Sequence, residues 1–258
     1  MIRLERDGPV AQLVLSNPPL NLFGDEAFDE LVAGIEEVEG SDARALVWRA
    51  EGDIFTGGVD VNSFQRVVDA EAEQAGEFAK PLIEAVRRLE ALEVPTLALV
   101  HGLCLTAGLE VALGCDLIWA ERPSKFGLVE AVVGLTPGAG GTQRMAERAG
   151  PARAREFVMT QGLYDAETLF GWGVVNRVVE EGEVHEKGMR FAHRLAEGPT
   201  RAHAATKRIV RAYLEGGIDR ADEVTPGQFA DLFATEDLRN AVRSFLAEGP
   251  GKATFEGH

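Results

Sequence analysis

Apolar positions recur at two different spacings along the first half of the chain. Two short strands, near 2–6 and 10–16, are predicted on either side of the turn signal Asp7-Gly8-Pro9. Asn17-Pro18-Pro19 ends the second, because proline cannot continue a ladder and restricts its predecessor. Over 25–38 the period changes, and Phe28, Leu31, Val32, Ile35 and Val38 fall on one face of a helix. Ala45-Leu46-Val47-Trp48 reads as a buried strand, followed by a loop through Glu51-Gly52-Asp53, a glycine-bearing turn over 55–60 and a short helix. A long helix over 74–91 carries Phe78, Leu82, Val86 and Leu89 on one side. Pro95 precedes a strand at 96–100, and a helix near 107–113 and a strand at 116–119 follow. From about 139 to 247 the pattern is mainly helical, interrupted by one strand at 174–178, with Pro151, Pro199 and Pro226 where helices would begin. Alternating strands and helices predict an α/β core with a largely parallel sheet, followed by a helical C-terminal part.

Composition narrows the classes. A chain of 258 residues holds one large domain or two modest ones. Its 42 acidic against 26 basic residues give a net charge of −16, which repels nucleic-acid phosphates, and no basic stripe offsets it. No window approaches the roughly 18–20 uninterrupted apolar residues that cross a bilayer, and Met1–Asp7 lack the apolar core of a signal peptide. The only cysteines, Cys104 and Cys115, lie in apolar surroundings without a C-x-x-C, as reduced thiols of a cytoplasmic protein do. The five histidines never form H-x-x-x-H, so no metal site is expected. Gly138-Ala139-Gly140-Gly141-Thr142-Gln143 departs from a dinucleotide fingerprint after three positions, and neither a phosphate loop nor G-x-S-x-G is present.

Two turns carry candidate chemistry. Phe55-Thr56-Gly57-Gly58-Val59-Asp60 and Gly102-Leu103-Cys104-Leu105-Thr106-Ala107-Gly108 each join a strand to a helix. Amides at a helix start lack intrahelical acceptors, and two such groups aimed at one point stabilise an oxyanion. Taken alone, both are equally ordinary βα turns. Glu110, within Ala107–Leu113, and Glu130, within Phe126–Val133, then stand out as carboxylates in apolar segments. Such a group is exposed, paired or functional, and desolvation raises its pKa toward the range useful for proton transfer.

The chain resembles the crotonase (enoyl-CoA hydratase/isomerase) superfamily over almost its whole length. The resemblance is carried by Asn17-Pro18-Pro19-Leu20-Asn21, Phe55–Val61, Pro95–Asp116, Phe126–Arg144 and Gly171–Val178, and further by Thr235-Glu236-Asp237 and Phe255. It implies a crotonase-like (ClpP/crotonase) α/β spiral of ββα units over 1–195 and a helical trimerisation region over 196–258. It also implies an enoyl-CoA hydratase that adds water to a 2-enoyl-CoA, with Glu110 and Glu130 as acid/base pair and the Val59 and Ala107 amides as oxyanion hole. Leu20, Leu22, Thr56, Gly58, Val59 and Asp60 match the coenzyme A path, coenzyme A being part of the substrate and no separate cofactor being required. A homotrimer or dimer of trimers is expected. The alternatives are another reaction of the superfamily on a CoA thioester (isomerisation, hydrolysis, decarboxylation) and a non-catalytic binding subunit. Three places depart from the pattern: Thr106-Ala107-Gly108 stand where the family carries a glycine run, Val129 replaces a proline before Glu130, and Glu256 replaces a lysine.

Overall fold

A computed structural model of the chain describes residues 1–62 and 72–258. Nine strands are described. Six form one sheet: β1 (Ile2–Asp7), β2 (Val10–Leu15), β3 (Ala45–Ala50), β4 (Thr96–Val100), β6 (Leu117–Glu121) and β9 (Arg177–Val179), hydrogen-bonded in the order β1-β2-β3-β4-β6-β9. β1 and β2 are antiparallel across the Gly8 turn, and every later pair is parallel. A second sheet joins β5 (Leu103–Leu105), β7 (Lys125–Gly127) and β8 (Tyr164–Asp165).

The central strands of the large sheet, β2, β3, β4 and β6, read as nearly continuous apolar runs because both faces are covered. Leu13, Leu46, Trp48, Ala98 and Val100 point into the main core, with Leu31 and Ile35 of α1 (Asp25–Glu39) and Val86 and Leu89 of α2 (Ala72–Ala91). Val10, Ala45, Val47, Leu97 and Leu99 point the other way and lie under Val184, Met189 and Ala192 of α7 (Val184–Ala196). Each fully buried side chain of this size contributes about 1.5–3 kcal/mol. The expected helix face of α2 is present at Leu82, Val86 and Leu89, while the Phe78 side chain and the helix expected beyond Asn62 lie outside the described residues.

Between the sheets runs α3 (Thr106–Leu113), all eight of whose residues are buried. α4 (Gly141–Ala149) meets it, and α5 (Pro151–Met159) and α6 (Ala166–Gly171) close the core. α8 (Thr200–Phe233) and α9 (Glu236–Glu248) then lie outside. Arg44 ties this outer part down, donating to Thr200 Oγ1 at 3.0 Å, to the Gly198 carbonyl at 2.7 Å and to the Phe255 carbonyl at 2.9 Å. Lys207 of α8 meets Asp116 at 2.8 Å.

Two expectations change. The late strand is Arg177–Val179 rather than 174–178: Val174 and Val175 are buried, and both of their amides close onto the Leu169 carbonyl. Asn176 turns the chain into the ladder by exchanging bonds with Ile118 through both its amide and its side chain. Pro226 lies inside α8 instead of starting a helix. The break in α8 is at Gly216-Gly217, where Gly217 has φ +74°, a conformation open to glycine. No helix among the described residues is long and apolar enough to cross a membrane.

Candidate active site

The strap over 55–60 is held on both sides by backbone bonds. Thr56 exchanges bonds with Leu103 and Leu105 at 2.8 and 3.1 Å, while Phe23 exchanges bonds with Gly58 and Asp60 at 2.8 Å each. Thr56 is fully buried, and its hydroxyl donates to the Asn21 carbonyl and accepts from the Gly58 amide. It therefore shapes the strap from inside. Leu20 is exposed, Leu22 half-buried, and Asp60 accepts from the amide and side chain of Asn62. Leu20, Leu22, Thr56, Gly58, Val59 and Asp60 thus belong to one continuous surface strap and its support.

Facing this strap is the start of α3. Ala107 lies in its first turn, where amides have no intrahelical acceptor. The Val59 amide is not open to a ligand as the sequence predicts. It donates to Thr106 Oγ1 at 2.9 Å, because Thr106 projects its hydroxyl into the space that a glycine would leave empty.

One turn further along α3 stands Glu110, only 3% exposed. Its Oε1 accepts from the Ala139 and Gly141 amides at 2.9 and 2.8 Å, at the start of α4. Its Oε2 has no hydrogen bond among the described residues. Burial raises its pKa, and the amides of Gly141 and Ala139, with the Arg144 charge, pull it back. Glu130 opens a short 3-10 turn, Glu130–Val133. Both of its carboxyl oxygens are buried without a partner among the described residues. Burial, then the charge of Glu110, pushes its pKa up to about 7. The two carboxylates therefore sense each other and occupy unlike environments. Neither is a solvated surface group.

The loop that grips Glu110 is itself gripped. Arg144, 6% exposed, donates to the carbonyls of Ala139 and Gly140 at 3.3 and 3.2 Å. Its other nitrogens bond both oxygens of Glu90 on α2 at 2.6 Å each. Gly140 adopts φ +100°, and a Cβ on Gly141 would lie 2.8 Å from Glu110 Cγ. The glycine cluster that fails as a dinucleotide fingerprint is thus a carboxylate-holding loop. Sequence reasoning missed Arg144 and Glu90, although the glycines beside a buried arginine were the available signal.

The sequence matches the enoyl-CoA hydratase/isomerase family over residues 5–257. The chain belongs to this family. It is 30% identical to a short-chain-enoyl-CoA hydratase of Clostridium acetobutylicum, covering 94% of this chain and 93% of that one. It is also 30% identical to a crotonyl-CoA hydratase of Syntrophomonas wolfei, covering 98% and 97% respectively. The solved structure of an enoyl-CoA hydratase subunit I from Geobacillus kaustophilus superposes with a TM-score of 0.91 at 32% identity, covering 100% of this chain and 98% of that one. The fold is accordingly the crotonase-like α/β fold expected from the sequence.

For a member of the enoyl-CoA hydratase/isomerase family, the arrangement offers three chemical elements. There is one buried carboxyl whose burial is partly offset by two amides, one carboxyl isolated in a form that favours the proton, and a helix start one turn before Glu110. Among the described residues no three His, Cys, Asp or Glu side chains gather as metal ligands. Cys104 and Cys115 are buried free thiols, and burial pushes both up in pKa, away from nucleophilic use.

Proposed function

We propose that the protein hydrates a 2-enoyl-CoA to a 3-hydroxyacyl-CoA, reversibly and with syn addition. What carries this reading is the division of labour between the two glutamates: Glu110 is buried yet bonded to the Ala139 and Gly141 amides, and the half-buried Glu130 has both carboxyl oxygens shut from solvent and unbonded among the described residues. Glu110 takes a proton from water as the water oxygen bonds to C3. The C2–C3 π electrons move toward the thioester, whose oxygen gains charge at the start of α3, where the Ala107 amide has no intrahelical acceptor. Glu130 delivers its proton to C2. Unlike hydrogen-bonding environments for the two carboxyls are what such an assignment of acid and base requires.

In this reading Leu20, Leu22, Gly58 and Asp60 line the coenzyme A path, with Thr56 supporting it, and coenzyme A arrives as part of the substrate. No other cofactor takes part. The enzyme works in the cytoplasm, and residues 196–258 join copies into a trimer or a dimer of trimers. Tyr213, Ile218, Phe229, Phe233, Phe245 and Leu246 of α8 and α9 are all exposed, an apolar display that supports burial against another copy.

The test follows the enoyl absorbance of crotonyl-CoA with purified protein. Loss of the signal without release of free CoA is expected, and Glu110→Gln and Glu130→Gln should each lower kcat by about 10²–10⁴. Release of free CoA with the enoyl group intact would point to hydrolysis instead. If neither substitution alters any acyl-CoA turnover, the fold serves here as a binding subunit.

A further inference from the structure

The hydroxyl of Thr106 occupies an unusual position for a side chain. Its oxygen accepts from the Val59 amide at 2.9 Å, and its own proton has no acceptor among the described residues although the residue is buried. Thr106 has φ +43°, a region that strongly disfavours β-branched residues. Gly58 stands against it at φ +102°, and a Cβ there would lie 2.1 Å from Thr106 Oγ1. A strained backbone, a missing Cβ and an amide donor thus fix one oxygen between the Val59 amide and the first turn of the helix that carries Ala107. Strain held in this way is a mark of functional positions.

We propose that Thr106 is itself a catalytic residue of the oxyanion hole. The thioester oxygen is held by the Thr106 hydroxyl and the Ala107 amide, and Val59 acts through Thr106 by donating to its oxygen. The inference rests on the acyl-thioester reading above. A hydroxyl that already accepts from an amide is polarised and donates more strongly, because bonds in a chain reinforce one another. Its acceptor side faces Val59, so its proton is directed to whatever oxygen enters. No proton is transferred: the O–H bond stays intact and stabilises the negative charge that builds on the thioester oxygen. The site thereby becomes a hydroxyl–amide pair in place of an amide–amide pair.

The experiment uses butyryl-CoA labelled with carbon-13 at the thioester carbonyl, a saturated ligand that binds without being hydrated. Its carbonyl stretch, read by infrared difference spectroscopy, should drop on binding to the wild-type protein. Thr106→Val removes the hydroxyl at nearly constant shape. The drop should shrink in this variant, and the kcat for crotonyl-CoA should fall by about 10²–10³ with little change in KM. Thr106→Ser should restore both toward wild type. A Thr106→Val protein whose bound ligand shows the full drop, or a larger one, would overturn the proposal, because the hydroxyl would then merely obstruct Val59. A lowered melting temperature with an unchanged frequency in the bound fraction would overturn it too, by assigning Thr106 a structural role. If wild type failed to bind butyryl-CoA at all, the acyl-thioester reading would fall and this proposal with it.

Discussion

Glu130 keeps its proton through isolation, since neither oxygen finds a donor among the described residues and the neighbouring Glu110 charge opposes a second one. With its pKa at about 7, hydration should lose kcat as pH rises through that value and Glu130 ionises. A pH profile of kcat should therefore show a falling limb near 7, and Glu130→Gln should remove it. Stability responds to the same group. The folded pKa lies above the ordinary value of 4.5, so the contribution is complete below pH 4.5 and is lost as pH rises toward 7. Glu130→Gln should accordingly gain about 2–3 kcal/mol relative to wild type between pH 4.5 and 8, allowing for partial solvent access. Urea unfolding at both pH values measures it, and a difference independent of pH would refute the linkage.

At the scale of elements, the position of the Glu110 carboxylate depends on how closely α3 and the start of α4 approach. Gly141→Ala places a methyl carbon 2.8 Å from Glu110 Cγ. Moving that carboxylate by about an ångström should cost on the order of 10²-fold in kcat, with KM nearly unchanged and the far-UV spectrum retained. Glu90→Gln weakens the hold on Arg144 from outside the site, and its smaller loss of kcat should appear without any shift in the pH limb of Glu130. Much of this was legible in the sequence. The long strands and helices declared themselves by period, and Glu110 and Glu130 by being acids among Leu and Val. The second sheet was not legible, because strands of two or three residues such as Leu103–Leu105 and Tyr164–Asp165 are too short to show alternation. Nor was the Thr106–Val59 bond, which joins residues 47 apart through a positive φ that no residue pattern announces. Val174-Val175 looked like a strand because a buried loop can be as apolar as a ladder.

For the whole molecule, the exposed aromatic and aliphatic residues of α8 and α9 contrast with a surface carrying a net charge of −16. Phe245 is 59% and Leu246 79% exposed in the single chain, so charging them does not disturb its core. Phe245→Asp with Leu246→Asp should shift the mass by light scattering from a trimer or hexamer toward a monomer while circular dichroism stays the same. A wild-type mass of one chain would remove the case for assembly through these helices. Arg44 and Lys207, which bind the outer helices to the sheet, remain in place in such a variant and make a folded monomer the expected product.

The two amides that hold Glu110 also form a built-in observation window. Because the Gly141 N–H bonds directly to the carboxylate, its nitrogen-15 resonance should follow the charge on Glu110 as solution pH changes, in the intact enzyme and without a substitution. A sample labelled only at glycine would read the ionisation of Glu110 from its own scaffold, and adding an acyl-CoA would show how far a bound thioester moves it.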